Sequence, residues 1–318
     1  MADVYDKIAA NFAHARKDVS LAALTTFRIG GPCRLLVEAC DEGEISKTLD
    51  LCREYDVKYT IIGNGSDILA ADDGFDGVAL KLGGKFARVS ACGGKIFATA
   101  GTPVKSVYNA ALGAGMGGME FLSALPASLG GAVRMNAGCF GGQMSDIVEK
   151  VWAVGEGGKR EFSGEELAFG YRNSAFCRNG FVITAALLSS YHSAAERIAE
   201  KAAFMLAEKK RSQPVECFSA GSVFRREGDV VPARLIDLCG LKGFCVGDAA
   251  VSEKHAGFII NKGHATCRDV VKLIDIVARK VKAEFGVRLR LEIQLLGSTD
   301  DFRRLSYAYG VQSRQTQD

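Results

Sequence analysis

Apolar residues along the chain follow two rhythms. Short apolar pieces at Tyr59 to Gly63, Gly77 to Leu82, Ile96 to Ala100 and Phe181 to Leu188 predict strands. Helical spacing alternates with them: Asp41 to Tyr55 places Ile45, Leu49 and Cys52 on one face with charges between. Thr102-Pro103 reads as the start of a second helix, Thr102 as its N-cap and Pro103 at its first position. Ser193 to Lys210 is the clearest helix, with Ser193 as N-cap, Glu196 three residues on, and Ile198, Ala202, Met205 and Leu206 on one face; it is expected to join two domains. Asp269 to Phe285 predicts an amphipathic helix stopped by Gly286, and Val287 to Leu296 a strand. Residues 298–318 are polar and without repeats, so a loosely held tail is expected there.

Glycine is frequent, 37 residues against 5 prolines, and it clusters at Gly30-Gly31, Gly63 to Gly65, Gly113 to Gly118, Gly130-Gly131 and Gly141-Gly142. Such clusters mark tight turns or close backbone approach. The first two thirds therefore read as a glycine-looped α/β cofactor domain and the last third as a smaller α+β lid or cap. A length of 318 residues with 48% hydrophobic content is enough for two or three units with sizeable cores.

Charge and cysteine usage narrow the partners. With 40 Lys and Arg against 37 Asp and Glu, the net charge of +3 gives no reason to expect nucleic acid. The 10 cysteines are scattered with no C-x-x-C pair and no paired histidine spacing, so no metal site is expected and most should be small buried hydrophobes. Met1 to Ser20 interleaves charges with isolated apolar residues, unlike a signal peptide, and no apolar run is long enough to span a bilayer. A reducing cytoplasm and no membrane association are the expectation. Oligomeric state is not legible.

Gly113-Ala114-Gly115-Met116-Gly117-Gly118 matches G-x-G-x-x-G formally, but it follows a helix instead of preceding one, so a helix stop and turn is the better reading. Ile61 to Leu69 is more informative. There an apolar strand runs into Gly63-Asn64-Gly65-Ser66-Asp67, which suits either an anion-binding nest or an ordinary turn. Leu125 to Gly138, nearly uncharged and small in volume, suits either backbone laid against a large ligand or a packed crossover loop.

Taken in order, Thr25-Thr26-Phe27-Arg28-Ile29-Gly30-Gly31-Pro32, Gly63-Asn64-Gly65-Ser66-Asp67-Ile68-Leu69, Leu125-Pro126-Ala127-Ser128-Leu129-Gly130-Gly131-Ala132 and Met135-Asn136-Ala137-Gly138 resemble the signature of the MurB family of UDP-N-acetylenolpyruvoylglucosamine reductases. Lys242-Gly243, Ser252 to Phe258 and Ile260-Asn261 resemble its shorter, second type, and the resemblance extends from about residue 20 to 297. It implies an α+β fold: an FAD-binding domain of the vanillyl-alcohol-oxidase (PCMH) type over residues 1–192, in two α/β subdomains of about 1–80 and 81–192. A connecting helix at 193–211 and a C-terminal α+β substrate-binding domain at 212–297 would follow, then a polar tail at 298–318.

The resemblance also implies site residues. Non-covalent FAD would be held by Gly63, Asn64, Gly65, Ser66, Asp67, Ala127, Ser128, Gly130, Gly131, Ala132, Asn136 and Ala137. Ala127 stands where a glycine is usual, which matters only if that position needs positive φ, and Asp67 where asparagine is common. Gly170-Tyr171-Arg172-Asn173-Ser174 resembles the Tyr-Arg-Asp/Asn-Ser motif, implying a catalytic Arg172 with Tyr171 contacting substrate. A permanently cationic fork can hold a carboxylate or enolate without surrendering its proton, although such a loop arginine is otherwise a surface residue. Ser222, in Ser219-Ala220-Gly221-Ser222-Val223-Phe224, matches the family's proton donor; alone, Gly-Ser is a turn. Arg226-Glu227 replaces the frequent Asn-Pro.

Leu289 to Leu295 alternates strictly, with Arg290, Glu292 and Gln294 on the polar face, which by itself reads as a solvated strand edge. The family match instead makes Glu292 catalytic and turns that face into the cleft; Arg290 stands where the family has glutamate. His255 is expected to be structural or substrate-adjacent.

The implied reaction is NADPH-dependent reduction of UDP-N-acetylglucosamine enolpyruvate to UDP-N-acetylmuramate through FAD, with a UDP-sugar as partner. Two alternatives stand beside it. One is an FAD-dependent sugar or lactone oxidoreductase of the same fold, though such relatives often tether flavin through a histidine and none of the 4 histidines here lies in the FAD segments. The other is a flavin- or nucleotide-binding regulator without turnover.

Overall fold

The structure, a computed structural model, describes residues 3–310. Near the N-terminus, β1 (Arg16–Ser20), β2 (Pro32–Ala39), β3 (Tyr59–Ile62) and β5 (Phe75–Leu82) form a sheet in the order β1-β2-β5-β3. β2 and β3 both run parallel to β5, and their buried residues Leu35, Val37, Ile62, Val78 and Leu80 reflect a sheet covered on both faces. The helices α1 (Val4–Ala9) and α2 (Glu42–Glu54) pack near it; Asp41 caps α2 by accepting from the Glu44 amide at 2.8 Å.

β6 (Val89–Cys92), β7 (Lys95–Thr99), β10 (Val148–Gly155), β11 (Gly158–Ser163) and β12 (Val182–Ser189) make a second, antiparallel sheet in the order β11-β10-β12-β7-β6. Against it lie α3 (Val104–Gly113) and α4 (Leu129–Arg134), followed by a small ribbon of β8 (Gly138–Cys139) and β9 (Gly142–Gln143). One hydrophobic core serves both sheets.

The long helix α5 (Ala195–Ser212) leads to a third sheet, β13 (Phe218–Ser222), β14 (Cys245–Val246), β15 (Ala249–Val251) and β16 (Phe258–Asn261), ordered β13-β16-β15-β14 and antiparallel. With α6 (Pro232–Leu238), α7 (Cys267–Phe285) and α8 (Asp300–Tyr309) it builds a second core, which also takes in Phe27, Ile29, Leu69 and Ala71 from the N-terminal region. The two regions are stitched together by β4 (Ile68–Ala70) and β17 (Gln294–Leu296), which pair in parallel.

Several expected boundaries move, for local or tertiary reasons. Thr102 does not cap α3: its hydroxyl donates to the Arg88 carbonyl at 2.8 Å, and Pro103 takes the cap position. Ser193 does not cap α5, whose cap residue is Ala194; the Ser193 amide is held by the Gly115 carbonyl at 2.8 Å. The α7 helix starts earlier than expected, at Cys267, because Thr266 and Asp269 form a reciprocal capping box, and it ends as expected at Gly286 with φ 70°. Within Val287 to Leu296 only Gln294–Leu296 joins a ladder. The tail is not loose up to Gly310: α8 buries Phe302 and Leu305. Residues 311–318 lie outside the described residues. Gly113 to Gly118 is a helix end and turn, with Gly115 and Gly118 at φ 64° and 83°.

Candidate active site

Where β3 ends, Gly63 to Asp67 form one wall of a cleft. Gly65 sits at φ 65°, and a Cβ there would fall 2.1 Å from the Leu24 carbonyl oxygen, so only glycine fits. Asn64 is committed to structure: its Nδ2 donates to the Pro126 carbonyl at 2.6 Å and ties this loop to the second glycine-rich segment. Gly63 and Ser128 meet back to back, a Cβ on Gly63 falling 2.3 Å from Ser128 Oγ. Gly130 donates its amide to the Ala100 carbonyl at 2.9 Å and, with Gly131, opens onto a hollow that continues to Phe181. Ser66, Asp67, Ala127, Ala132 and Ala137 line the middle of the cleft. Ala127 is not among the residues of positive φ, so the alanine that replaces the usual glycine is accommodated without strain.

Asn136 is the exception among the expected cofactor residues. It is buried at φ 42°, its Nδ2 donates to the Gly170 carbonyl at 2.9 Å, and its Oδ1 accepts from the Ser145 amide at 2.9 Å. Both ends of the amide are used inside the fold, so Asn136 braces the loop that carries Tyr171 and Arg172 and its side chain does not face the cleft.

That loop closes on itself between Gly170 and Asn173, and it places Arg172 at φ 51°. Such a conformation is uncommon for a side chain of this size and needs surroundings that hold it. Arg172 Nε donates to Glu292 Oε1 at 3.0 Å, an Nη donates to the Gly138 carbonyl at 3.2 Å, and Tyr171 donates its hydroxyl to Glu292 Oε2 at 3.3 Å. Both carboxylate oxygens of Glu292 are therefore engaged. Burial opposes the charge on Arg172, but attraction to Glu292 and the hydrogen bond between them outweigh it, and its pKa lies above the ordinary arginine value. Burial and the Glu292 charge likewise push the Tyr171 phenol up.

Ser222 reaches the same place from the C-terminal region. Glu292 donates its amide to the Val223 carbonyl at 2.8 Å, so the end of β13 and the Glu292 segment run side by side. Ser222, Arg172, Glu292 and Asp67 all line one cavity of about 520 Å³ that opens from the glycine-walled cleft. The polar face of the last strand divides: Arg290 is exposed, Glu292 is half-buried, and Gln294 is buried with its Oε1 unpaired at the cleft wall.

The two departures at Arg226-Glu227 and Arg290 meet: Arg290 Nε lies 3.5 Å from Glu227 Oε1 on the exposed surface. His255 accepts the Gly257 amide at Nδ1 and packs edge-on against Phe258, a turn-holding role; burial lowers its pKa. No group of metal-binding side chains occurs among the described residues.

Two contributors were not expected from the sequence. Lys209 of α5 donates to the Ala124 carbonyl and lines the cavity, burial pulling its pKa down. Arg225 stacks on Tyr171 from one side while Arg172 stacks on it too, the guanidinium carbons 5.4 Å and 5.2 Å from the ring centre. No local signal marked either of them, whereas Gln294, expected on the cleft face with Glu292, lines the cleft.

The cleft fits a dinucleotide such as FAD. Two walls of glycine and small residues leave backbone exposed, Gly65 admits no side chain, and a buried unpaired Gln294 oxygen awaits a donor at the cleft wall.

A family model described as the FAD binding domain matches residues 33–161, and one described as the C-terminal domain of UDP-N-acetylenolpyruvoylglucosamine reductase matches residues 213–296. The chain is 37% identical to the UDP-N-acetylenolpyruvoylglucosamine reductase of Clostridium novyi over 90% of this chain and 93% of that one. It is 40% identical to that of Syntrophomonas wolfei over 86% and 92%. The crystal structure of the reductase MurB from Thermus caldophilus superposes with a TM-score of 0.78 at 34% identity, covering 89% of this chain and 99% of that one. This chain belongs to the UDP-N-acetylenolpyruvoylglucosamine reductase family, an FAD-binding domain joined to the family's C-terminal domain.

Proposed function

We propose that this protein is an FAD-dependent, NADPH-consuming oxidoreductase that reduces UDP-N-acetylglucosamine enolpyruvate to UDP-N-acetylmuramate, a step in peptidoglycan precursor synthesis. The observation that carries this reading is the convergence of Arg172, Glu292 and Ser222, from three distant parts of the chain, on one cavity at the end of a glycine-walled cleft. We place it in the cytoplasm, where NADPH is available and its ten thiols stay reduced.

Gly63 to Asp67 and Ala127 to Ala132 would hold FAD, with Gln294 offering its buried oxygen. The chemistry that FAD supplies when bound is hydride transfer, taken from NADPH and given to the vinyl carbon of the substrate. Arg172 binds the substrate carboxylate and stabilises the negative charge that develops on it, and its own proton is not available to leave. Glu292 aims Arg172, while Tyr171 donates to the other oxygen of the Glu292 carboxylate. Ser222 delivers a proton to the carbon beside the one reduced, completing the saturated lactyl ether. Lys209 adds a cation to the same cavity, suited to an anionic substrate.

The test is direct: the purified protein should show an oxidised-flavin absorbance spectrum and should oxidise NADPH only when the enolpyruvyl UDP-sugar is present. A colourless protein, or NADPH oxidation indifferent to that substrate, would remove this reading. Release of intact FAD on denaturation separates it from relatives with covalently tethered flavin.

A further inference from the structure

The segment that presents Glu292 is hydrogen-bonded on both edges. On one edge it pairs with the Ser222 segment: Arg225 donates its amide to the Arg290 carbonyl at 2.8 Å and Glu292 donates to Val223. On the other edge the Leu291 amide donates at 3.1 Å to the carbonyl of Tyr309, the last residue of α8. Leu291 is 2% exposed, so without that carbonyl its amide would be a buried donor lacking a partner.

The Tyr309 carbonyl is delivered there by the docking of α8. Phe302 and Leu305 enter the C-terminal core, and the Asp275 carboxylate of α7 accepts from the Tyr309 hydroxyl at 2.9 Å and from Arg304 at 2.8 Å. Burial, reinforced by the hydrogen bond to Asp275, pushes the Tyr309 phenol up to about 12, so this latch stays protonated through the physiological range. Asp275, on a buried turn of α7, thus meets two groups of the C-terminal helix, the cation of Arg304 and the hydroxyl of Tyr309. The match to the family's C-terminal domain stops at residue 296, so α8 lies beyond it.

We propose that α8 is a positioning element of the active site: by placing the Tyr309 carbonyl on the Leu291 amide, it holds residues 290–292 in the register that presents Glu292 to Arg172 and Tyr171. This rests on the reading of Glu292 as the group that aims Arg172 at the substrate. A helix that merely adds core would change stability alone. A brace changes the geometry of one carboxylate, and so the half-reaction in which that carboxylate acts.

The experiment uses the full chain with Phe302→Ala and Leu305→Ala combined, and Leu305→Met as the conservative control. Two arms are read: hydrogen exchange of the peptide spanning Leu289 to Ile293, and stopped-flow rates of the two half-reactions. The double variant should exchange faster in that peptide, keep flavin reduction by NADPH within about twofold of the parent, and slow flavin reoxidation by the enolpyruvyl substrate roughly tenfold or more, with Leu305→Met near the parent in all three. Faster exchange with unchanged reoxidation would overturn the proposal. So would an equal fall of both half-reactions together with lost flavin, which would make α8 a contributor to global stability only. If the double variant does not fold, Tyr309→Phe removes just the bond to Asp275 and reads both arms at smaller amplitude, with the same outcomes deciding. Should the parent itself fail to react with the enolpyruvyl substrate, the functional reading falls, and the exchange arm still decides whether α8 braces the Glu292 segment.

Discussion

Arg172 and Glu292, 120 positions apart, meet with Nε and Oε1 at 3.0 Å, and their side chains are only 27% and 13% exposed. A pair so withdrawn from water is not a surface ion pair of negligible weight. Breaking it from either side would leave one charge largely withdrawn from water without its partner. Around them the chain supplies a strained backbone at Arg172, a phenol on the second oxygen of Glu292, and a cavity that both residues line.

Glu292→Gln should leave a folded, yellow protein, because the amide preserves the shape and can still accept from Tyr171. Turnover with the enolpyruvyl substrate should fall by roughly 10²-fold or more, as expected when a buried electrostatic partner of the reacting centre is neutralised. Steady-state kinetics at saturating substrate checks it. A surface glutamate would leave turnover unchanged and stability within about 0.5 kcal/mol.

Ser222→Ala should spare flavin binding and flavin reduction by NADPH while slowing reoxidation by the substrate, since a positioned proton donor contributes roughly 10²–10⁴-fold. Stopped-flow separation of the two half-reactions gives the answer. A crippled first half-reaction with a normal second would take the proton from some other group.

Gly65→Ala forces a side chain onto backbone at φ 65° and into the Leu24 carbonyl 2.1 Å away. The loop must shift, at a cost of about 1–3 kcal/mol, and the cleft wall shifts with it. Flavin content per mole of purified protein should fall sharply, and full occupancy would contradict the placement of FAD at this loop.

Lys209 gives a pH prediction. Burial holds its folded pKa below the ordinary lysine value, so on raising the pH its charge is lost earlier than from a free lysine. KM for the anionic UDP-sugar should therefore rise in alkaline solution before ordinary lysines titrate, and Lys209→Met should remove that limb. The stability effect has the opposite sense. Between the folded and the unfolded pKa the unfolded chain binds more protons, so this residue makes unfolding free energy rise with pH there.

Much of the fold was legible in the sequence because its signals are local. The strands at Tyr59–Ile62 and Val182–Ser189 and the helix α2 came from short-range periodicity, and Gly286 ends α7 because glycine alone enters φ 70° freely. The glycine walls were visible as runs of residues without side chains, and the ordered motifs carried Arg172, Ser222 and Glu292. What composition and spacing left open was whether those motifs formed a site or ordinary turns, since nothing local distinguishes a nest from a turn.

The tertiary structure decided everything that depends on a partner far along the chain. Asn136 braces the Arg172 loop instead of facing the cleft because Gly170, 34 positions away, takes its amide. Gln294 is buried because β17 pairs with β4, while Arg290, ahead of that strand, stays exposed beside Glu227. The polar residues 300–309 form a docked helix because Asp275 and the C-terminal core await them. Periodicity reports which face of a segment is apolar, and a motif reports which chemistry is present. Which polar atom meets which across a hundred residues is settled by burial, where every donor and acceptor withdrawn from water must find a partner.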